Sequence, residues 1–312
     1  MKTLYIKIIS LFIIGLSISA CGGQKDENTP PSGIVIESGN LVLEVNGITR
    51  NLDYATPQLS SYPLVIAFHG GGDSLDSFEK YAEITPLVKR ERDFGVVYPE
   101  GINKHWNDGR AESGSTADDI AFIQAIINTY KAKGVNRFYL IGMSNGAMIV
   151  QRAACELADE VSGIMIISAT QSSWLQTNCM DNTTPLPALF AFGDDDRSFI
   201  NNLDIITPGF PVLTRGTHIG INATIDYWLT RNGCLATLND LRSLNVVSED
   251  NTQVNIKEGT NCNAQTLYYE IAGGGHRWPD PSGSNTALTT GLLGYASYEI
   301  STAEEMVNFF GL

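Results

Sequence analysis

The segment from Arg137 to Met148 constrains the fold of this chain more than any other. It reads RFYLIGMSNGAM, so that an apolar run breaks into GMSNG at residues 142–146 and then continues with helical spacing. The pattern predicts a strand, a sharp turn and a helix, with a serine held between two glycines. Residues without a Cβ are needed there because they let the strand and the helix approach closely. The motif therefore predicts that the hydroxyl of Ser144 is presented at the end of a strand.

The rest of the chain alternates apolar strands with helical segments. Continuous apolar runs predict buried strands at 63–68, 95–98, 163–167, 188–192 and 267–271. Helical spacing occurs at 78–92 (with Pro86 as an interruption), 116–133, 145–157, 219–230 and 304–310. The strands 41–45 and 48–54 are joined by Asn-Gly, a hairpin signal, and 244–256 is a polar hairpin-like excursion. We expect an α/β fold with a doubly wound, mostly parallel sheet, helices on both faces and an antiparallel N-terminal hairpin.

Length and composition predict one large globular domain and argue against a nucleic-acid partner. The chain has 312 residues, of which 43% are hydrophobic and 17% charged. Its formal net charge is −14 and its pI is about 4.6. Such an excess of negative charge would repel a phosphate backbone, so we expect no nucleic-acid partner.

The N-terminus has the features of an export signal. Residues 1–20 contain two lysines, an apolar run too short to span a bilayer, and then small residues. The sequence Ile18-Ser19-Ala20-Cys21 is similar to the bacterial lipobox, in which the cysteine is lipidated. We predict a lipoprotein signal peptide at 1–20, a flexible tether at 21–37 and a catalytic domain at 38–312. The protein would be exported and held on the outer membrane only by a lipid on Cys21. The sequence does not decide whether it faces the periplasm or the cell surface. An ordinary signal peptide is the alternative interpretation.

Four further cysteines predict disulfides, since these bonds persist in exported proteins. Cys155, Cys179, Cys234 and Cys262 allow three connectivities, and proximity along the chain favours Cys155–Cys179 and Cys234–Cys262. A zinc site is the alternative interpretation, but the spacings contain no C-x-x-C pair.

A serine hydroxyl needs a general base and an acid that orients the base. The chain contains four histidines, and His276 fits the base best because it follows a buried strand and three glycines late in the sequence. We expect His218, at the start of a helix, to be solvated. Asp194, Asp195 and Asp196 all follow the strand at 188–192; one carboxylate suffices, and the residues alone do not rank the three.

A second glycine cluster, HGGG at residues 69–72, follows the predicted strand at 63–68. Attack of a serine on a carbonyl builds an oxyanion, which backbone N–H groups must stabilise. A loop of the HGGG type supplies one donor, and the amide of Asn145, directly after the serine, supplies the other. A phosphate-binding loop is the alternative, but it would be followed by Lys-Ser or Lys-Thr, which is absent from the sequence here.

Several sequence blocks resemble one known family over 47–310. They are HGGG at His69, VVYPEG at Val96, WNDG at Trp106, DDIAFI at Asp118, GMSNGA at Gly142, FGDDD at Phe192, YWLTRNGC at Tyr227, GGGHRWP at Gly273 and EISTAEEMVNFF at Glu299. In order and spacing they are similar to the α/β-hydrolase branch of polyhydroxybutyrate depolymerase-like proteins and carbohydrate esterase 1 type feruloyl or acetylxylan esterases. The resemblance implies Asp196 as the acid, although Phe192 stands where histidine is usual, and Gly71 as the first oxyanion donor.

Aromatic side chains near the proposed base suggest a substrate pocket. Trp278 lies just beyond His276, and Trp106 lies in a polar segment that we expect to be exposed. Tryptophan stacks on sugar and phenolic rings, although large core residues are the alternative interpretation for both. We place His69, Trp106 and Trp278 at the pocket.

These observations together predict a secreted serine esterase that works through an acyl-enzyme and needs no metal or organic cofactor. The resemblance implies feruloyl or acetyl esters on plant polysaccharide as substrates, with polyhydroxyalkanoate as the alternative. An alternative of another class is a catalytically silent surface lipoprotein that binds glycans.

Overall fold

The computed structural model describes residues 33–91, 93–179, 183–196 and 218–312, and within them ten strands form one sheet. The strands are β1 (Ile36–Val45), β2 (Ile48–Pro57), β3 (Pro63–Phe68), β4 (Gly95–Pro99), β5 (Arg137–Met143), β6 (Gly163–Ile167), β7 (Ala188–Gly193), β8 (Leu235–Leu244), β9 (Gln253–Thr260) and β10 (Thr266–Ala272). Their order across the sheet is β1-β2-β4-β3-β5-β6-β7-β10-β9-β8. The sheet therefore contains every strand predicted from the apolar runs.

The sheet is parallel in its centre and antiparallel at both ends. β4, β3, β5, β6, β7 and β10 run parallel, while β1 and β2 precede them as an antiparallel hairpin. The hairpin turns at Asn46 and Gly47, both with positive φ, which confirms the prediction from this dipeptide. The expected hairpin-like excursion at 244–256 contains the end of β8, the connection and the first half of β9; these two long antiparallel strands extend the sheet at its other edge.

Eight α-helices are described. They are α1 (Leu75–Ala82), α2 (Ile84–Glu91), α3 (Asp119–Lys131), α4 (Asn145–Glu156), α5 (Ser173–Asn178), α6 (Ile221–Arg231), α7 (Ala287–Leu293) and α8 (Thr302–Phe310). Short 3₁₀ turns occur at Ile102–Lys104 and Ser248–Asp250. The expected single helix at 78–92 is two helices, and the break lies at Glu83, with φ of 56°, rather than at Pro86. Proline is tolerated in the first turn of α2 because N–H groups there have no helical acceptor.

Two hydrophobic clusters lie on opposite faces of the sheet. Leu64, Ile66 and Phe68 of β3 belong to one cluster, with side chains from α3, α4 and α6. Val65 and Ala67 of the same strand belong to the other, with side chains from α1, α2 and α8. Alternate residues of a strand point to opposite faces, so a strand covered on both sides must be apolar throughout.

Both disulfides favoured by chain proximity are present. Cys155, in α4, is bonded to Cys179 after α5, and Cys234 is bonded to Cys262. The four sulfur atoms are thus committed to bonds with each other rather than to the zinc site considered above.

The predicted signal peptide, Cys21 and most of the tether lie outside the described residues, so the lipid anchor stays a prediction. Strand β1 begins at Ile36, inside the range expected to be tether. In the part of the chain that the structure covers, no helix has both the length and the apolar character needed to cross a bilayer.

Candidate active site

Ser144 sits at the turn between β5 and α4 in a strained backbone conformation. Its φ is 56° and its ψ is −126°, values that are unfavourable for a residue with a Cβ. The Ser144 N–H donates to the carbonyl of Ile167 at 3.0 Å, which ties the turn to the neighbouring strand β6. The side chain is accessible at the carboxyl edge of the sheet, as the motif predicts.

The flanking glycines are required by close backbone contacts. A Cβ on Gly146 would lie 2.3 Å from the carbonyl oxygens of both Phe68 and His69, at the end of β3. A Cβ on Gly142 would lie 2.4 Å from the carbonyl of Gly146. The strand, the helix that follows it and the loop after β3 are therefore in contact at backbone distance.

The structure brings Ser144, His276 and Asp196 into one hydrogen-bonded chain. His276 Nε2 lies 2.9 Å from Ser144 Oγ, and His276 Nδ1 lies 2.8 Å from Asp196 Oδ2. The serine follows β5, the aspartate follows β7 and the histidine follows β10, so all three stand at the carboxyl ends of parallel strands. The carboxylate is 2% exposed, and its bond to Nδ1 favours the tautomer with the acceptor nitrogen toward the serine.

The three consecutive aspartates have different surroundings. Asp194 is exposed, and its Oδ1 accepts from the Gly273 N–H at 2.7 Å. Asp195 is half-buried, and its N–H donates to the carbonyl of Gly274. Asp196 is the one whose carboxylate contacts His276, which agrees with the position implied by the family resemblance.

The expectation that His218 is solvated is wrong. Its side chain is buried at 3% exposure, and Nδ1 lies 3.1 Å from the hydroxyl of Thr170, after β6. The short connection before α6 forms a bridge with Ser172, and this bridge draws the histidine inward.

The two predicted oxyanion donors lie beside the serine. A Cβ on Gly71 would lie 3.4 Å from the Cβ of Asn145, and a Cβ on Gly70 would lie 3.6 Å from the Cβ of Ser144, so the glycine loop packs against the turn. Within the described residues, neither the Gly71 N–H nor the Asn145 N–H donates to a protein acceptor. Gly72 differs, because its N–H donates to the carbonyl of Lys104.

The Asn145 side chain is fixed by residues that sequence reasoning did not assign. Its Oδ1 accepts from the Trp106 N–H at 2.7 Å, and its Nδ2 donates to the Trp106 carbonyl at 3.0 Å and to Asp108 Oδ2 at 2.6 Å. Asp108 is fully buried and also accepts from Arg110. The WNDG block therefore holds the residue after the serine in place, a role that its spacing from the motif does not signal.

The prediction that Trp106 lines the pocket from an exposed loop is wrong. The ring is fully buried and packs edge-on against Phe68, with ring centroids 5.2 Å apart. Its indole N–H donates to the carbonyl of His69 at 2.9 Å. The side chain therefore packs against the end of β3 and the start of the glycine loop, with its apolar surface on Phe68 and its one donor on His69.

His69 is also buried rather than at the pocket. Its side chain has no exposed surface, its Nδ1 bonds with the Gly70 carbonyl at 2.8 Å, and its Nε2 accepts from the Gly101 N–H at 3.0 Å. Burial lowers the pKa of this imidazole below its ordinary value of 6.5, although Glu100 nearby opposes the shift. The ring is therefore a neutral connection between the ends of β3 and β4.

Trp278 does line a cavity beside the serine. The cavity has a volume of about 390 Å³ and is bordered by His276, Arg277, Trp278, Tyr81 and Met143, among others. The indole ring packs edge-on against Phe78 at 5.3 Å. Among the described residues, no group of three or more histidine, cysteine or acidic side chains is arranged to hold a metal ion.

Comparison with known proteins identifies the fold. A family model described as the alpha/beta hydrolase fold matches residues 63–204. In sequence the chain is similar to "Putative esterase NocK" from Nocardia uniformis subsp. tsuyamanensis, with 22% identity over 258 residues, which cover 79% of this chain and 73% of that protein. In structure it is similar to an acetyl xylan esterase from Aspergillus awamori, with a TM-score of 0.52 and 12% identity, covering 88% of this chain and 99% of that one. The chain has the α/β-hydrolase fold, as the sequence predicted.

The backbone contacts at the serine turn predict unequal effects of two glycine substitutions. Gly146→Ala should lower the free energy of unfolding by about 1–3 kcal/mol or more, because the new methyl group meets backbone oxygens that side-chain rotation cannot move. Gly291→Ala, in α7, adds a methyl group with no atom within 4 Å and should raise stability by about 0.5–1 kcal/mol. Urea unfolding of both variants measures the difference, and equal effects would contradict the close approach.

Burial of His69 predicts a specific sensitivity to acid. A histidine whose pKa is lowered on folding stabilises the protein above its unfolded pKa of about 6.5, and this stabilisation is lost as the pH falls below that value. The melting temperature of the parent should therefore fall between about pH 7 and pH 5. In His69→Gln, which has no group that titrates there, the fall should be smaller. An identical fall in both proteins would contradict the claim that folding lowers the pKa of His69.

Proposed function

We propose that this protein is a serine hydrolase that cleaves carboxylic esters through an acyl-enzyme. The observation that carries the proposal is the hydrogen-bonded chain from Ser144 Oγ through His276 to Asp196. A serine, an imidazole and a buried carboxylate at these distances are the components that nucleophilic catalysis by a hydroxyl requires. We propose that the N–H groups of Gly71 and Asn145 stabilise the developing oxyanion; the packing of the glycine loop against the serine turn supports this.

The reaction proceeds in two halves. Ser144 Oγ attacks the ester carbonyl while His276 Nε2 takes its proton, and Asp196 stabilises the imidazolium through Nδ1–H. The carbonyl oxygen becomes an oxyanion that accepts from the two backbone N–H groups. When the tetrahedral intermediate collapses, the imidazolium returns the proton to the leaving alcohol. Water then attacks the acyl-enzyme while His276 takes its proton, and this proton returns to Ser144 Oγ as the carboxylic acid product is released.

The choice of esters rests on the motif resemblance and on the relative whose name describes it as an esterase. Within esters, we propose acetyl or feruloyl groups on plant polysaccharide, with polyhydroxyalkanoate as the alternative; the structural neighbour at 12% identity supports only the fold. The mechanism needs no cofactor. We also propose export and anchoring to the outer membrane through Cys21, which the lipobox resemblance supports.

Labelling and turnover test the proposed function together. The purified protein should hydrolyse a short-chain nitrophenyl ester, and a fluorophosphonate should form an adduct on Ser144 that peptide mass spectrometry locates. Ser144→Ala should abolish both signals while the fold is retained. A folded parent protein that shows neither signal would favour the silent glycan-binding alternative.

The contrast between neighbouring aspartates tests the role of the acid. Asp196→Asn removes the carboxylate that contacts His276, so kcat should fall by about 10³–10⁴-fold. Asp194→Asn is the matched control, since it makes the same chemical change on an exposed side chain two positions earlier, and its kcat should stay close to that of the parent. Steady-state kinetics with one nitrophenyl ester distinguishes them; comparable losses in both would contradict the assignment.

A further inference from the structure

The wall of the active-site cavity carries two hydrogen-bond donors with no acceptor. They are Arg277 Nη1 and Trp278 Nε1, both buried and without a hydrogen-bond partner in the described residues. Both side chains border the cavity next to His276. Buried donors are nearly always satisfied in folded proteins, and an unsatisfied one at a candidate site indicates a missing acceptor.

Arg277 also lacks a counter-charge. No carboxylate of the described residues lies within ion-pair distance of its guanidinium, which donates from Nη2 to the Ser284 carbonyl at 2.9 Å. Two other shielded arginines are paired with acids: Arg50 lies 2.7 Å from Asp119, and Arg110 lies 2.6 Å from Asp108. Arg231 has no acid partner among the described residues either, but its guanidinium donates to the carbonyls of Thr184 and Ala154. The chain has 34 acidic and 20 basic side chains, so an arginine without an acid is not explained by a shortage of acids.

The surroundings of Arg277 penalise its charge. Burial lowers the pKa of the guanidinium, because the charged form loses hydration. Among the residues that the structure describes, Asp280 is the one whose carboxylate borders the same cavity, and it is engaged by its own turn, where Oδ1 accepts from the N–H and the hydroxyl of Ser282. The backbone fixes the position of the arginine, since its carbonyl accepts from the Ser168 hydroxyl at 3.1 Å. The cation is thus held beside His276, and no carboxylate in the described part of the chain offsets its desolvation.

We infer that Arg277 binds a carboxylate carried by the ester substrate, so that the preferred substrate is an anionic ester. This inference rests on the proposed function. A guanidinium presents several N–H groups in a plane that matches a carboxylate, and a substrate anion would supply the acceptor that Nη1 lacks. Trp278 and Leu293 give the same cavity an apolar wall for the uncharged part of the substrate. The carboxylate belongs to either the acyl group or the alcohol, as in an ester on a uronate.

Two matched ester pairs test this inference. For the alcohol side, meta-acetoxybenzoate is compared with meta-acetoxybenzamide; for the acyl side, the monophenyl ester of adipic acid is compared with its terminal amide. The anionic member of at least one pair should have the higher kcat/KM. In Arg277→Gln the ratio of anionic to neutral kcat/KM should fall by about tenfold or more. Arg277→Lys, which keeps the charge but not the planar fork, should give an intermediate ratio.

A charge-matched control excludes a general electrostatic effect. Arg137→Gln removes the same charge at the start of β5, the end of the strand away from Ser144. It should leave the ratio of anionic to neutral kcat/KM as in the parent. Equal ratios in the parent, Arg277→Gln and Arg137→Gln would overturn the inference, and so would a parent preference for the neutral members of both pairs. A folded parent that hydrolyses the nitrophenyl ester but none of these four esters would also overturn the inference; a parent that hydrolyses neither would contradict the proposed function instead.

Discussion

The close backbone approach at the serine turn is the constraint on which the rest of the site depends. Gly146 lies against the carbonyl oxygens at the end of β3, so α4 starts directly beside the glycine loop. This contact leaves Ser144 in a backbone conformation that a free chain would avoid. The surrounding sheet must hold it there, and the strain is offset by packing on both faces. The position of the hydroxyl is therefore a property of the whole parallel sheet rather than of five residues.

The turn is supported from below by a buried polar layer. Arg50 of β2 pairs with Asp119 at the start of α3, and the second oxygen of Asp119 accepts from the Asn107 N–H at 2.7 Å. The residues on either side of Asn107, Trp106 and Asp108, are hydrogen-bonded to the side chain of Asn145. Although Arg50 is adjacent, burial dominates and raises the pKa of Asp119. This ion pair contributes mainly by positioning its neighbours, because Asp119 contacts both Arg50 of β2 and the backbone of Asn107.

The sequence predicted the parts of the site whose chemistry is local. The serine turn, the late histidine and the glycine loop each have a pattern that follows from one element, so periodicity and glycine spacing located them. Trp106 and His69 were misplaced for a different reason. Polar neighbours made the segment of Trp106 look exposed, but its burial depends on packing beneath a loop far away in the chain. Such long-range contacts leave no periodic signal.

The proposed base, His276, contacts a helix that has no residue in the core. The His276 N–H donates to the carbonyl of Leu293 at 2.6 Å, and a Cβ on Gly275 would lie 2.0 Å from the same oxygen. That oxygen belongs to α7, which has no buried residue and exposes Leu288 and Leu292. Backbone bonds from Gly275 and His276 to the carbonyls of Tyr295 and Leu293, at the C-terminal end of α7, place the backbone that carries the imidazole. The proposed catalytic arrangement therefore combines a serine that the sheet fixes with a histidine whose placement is coupled to a surface helix that borders the cavity.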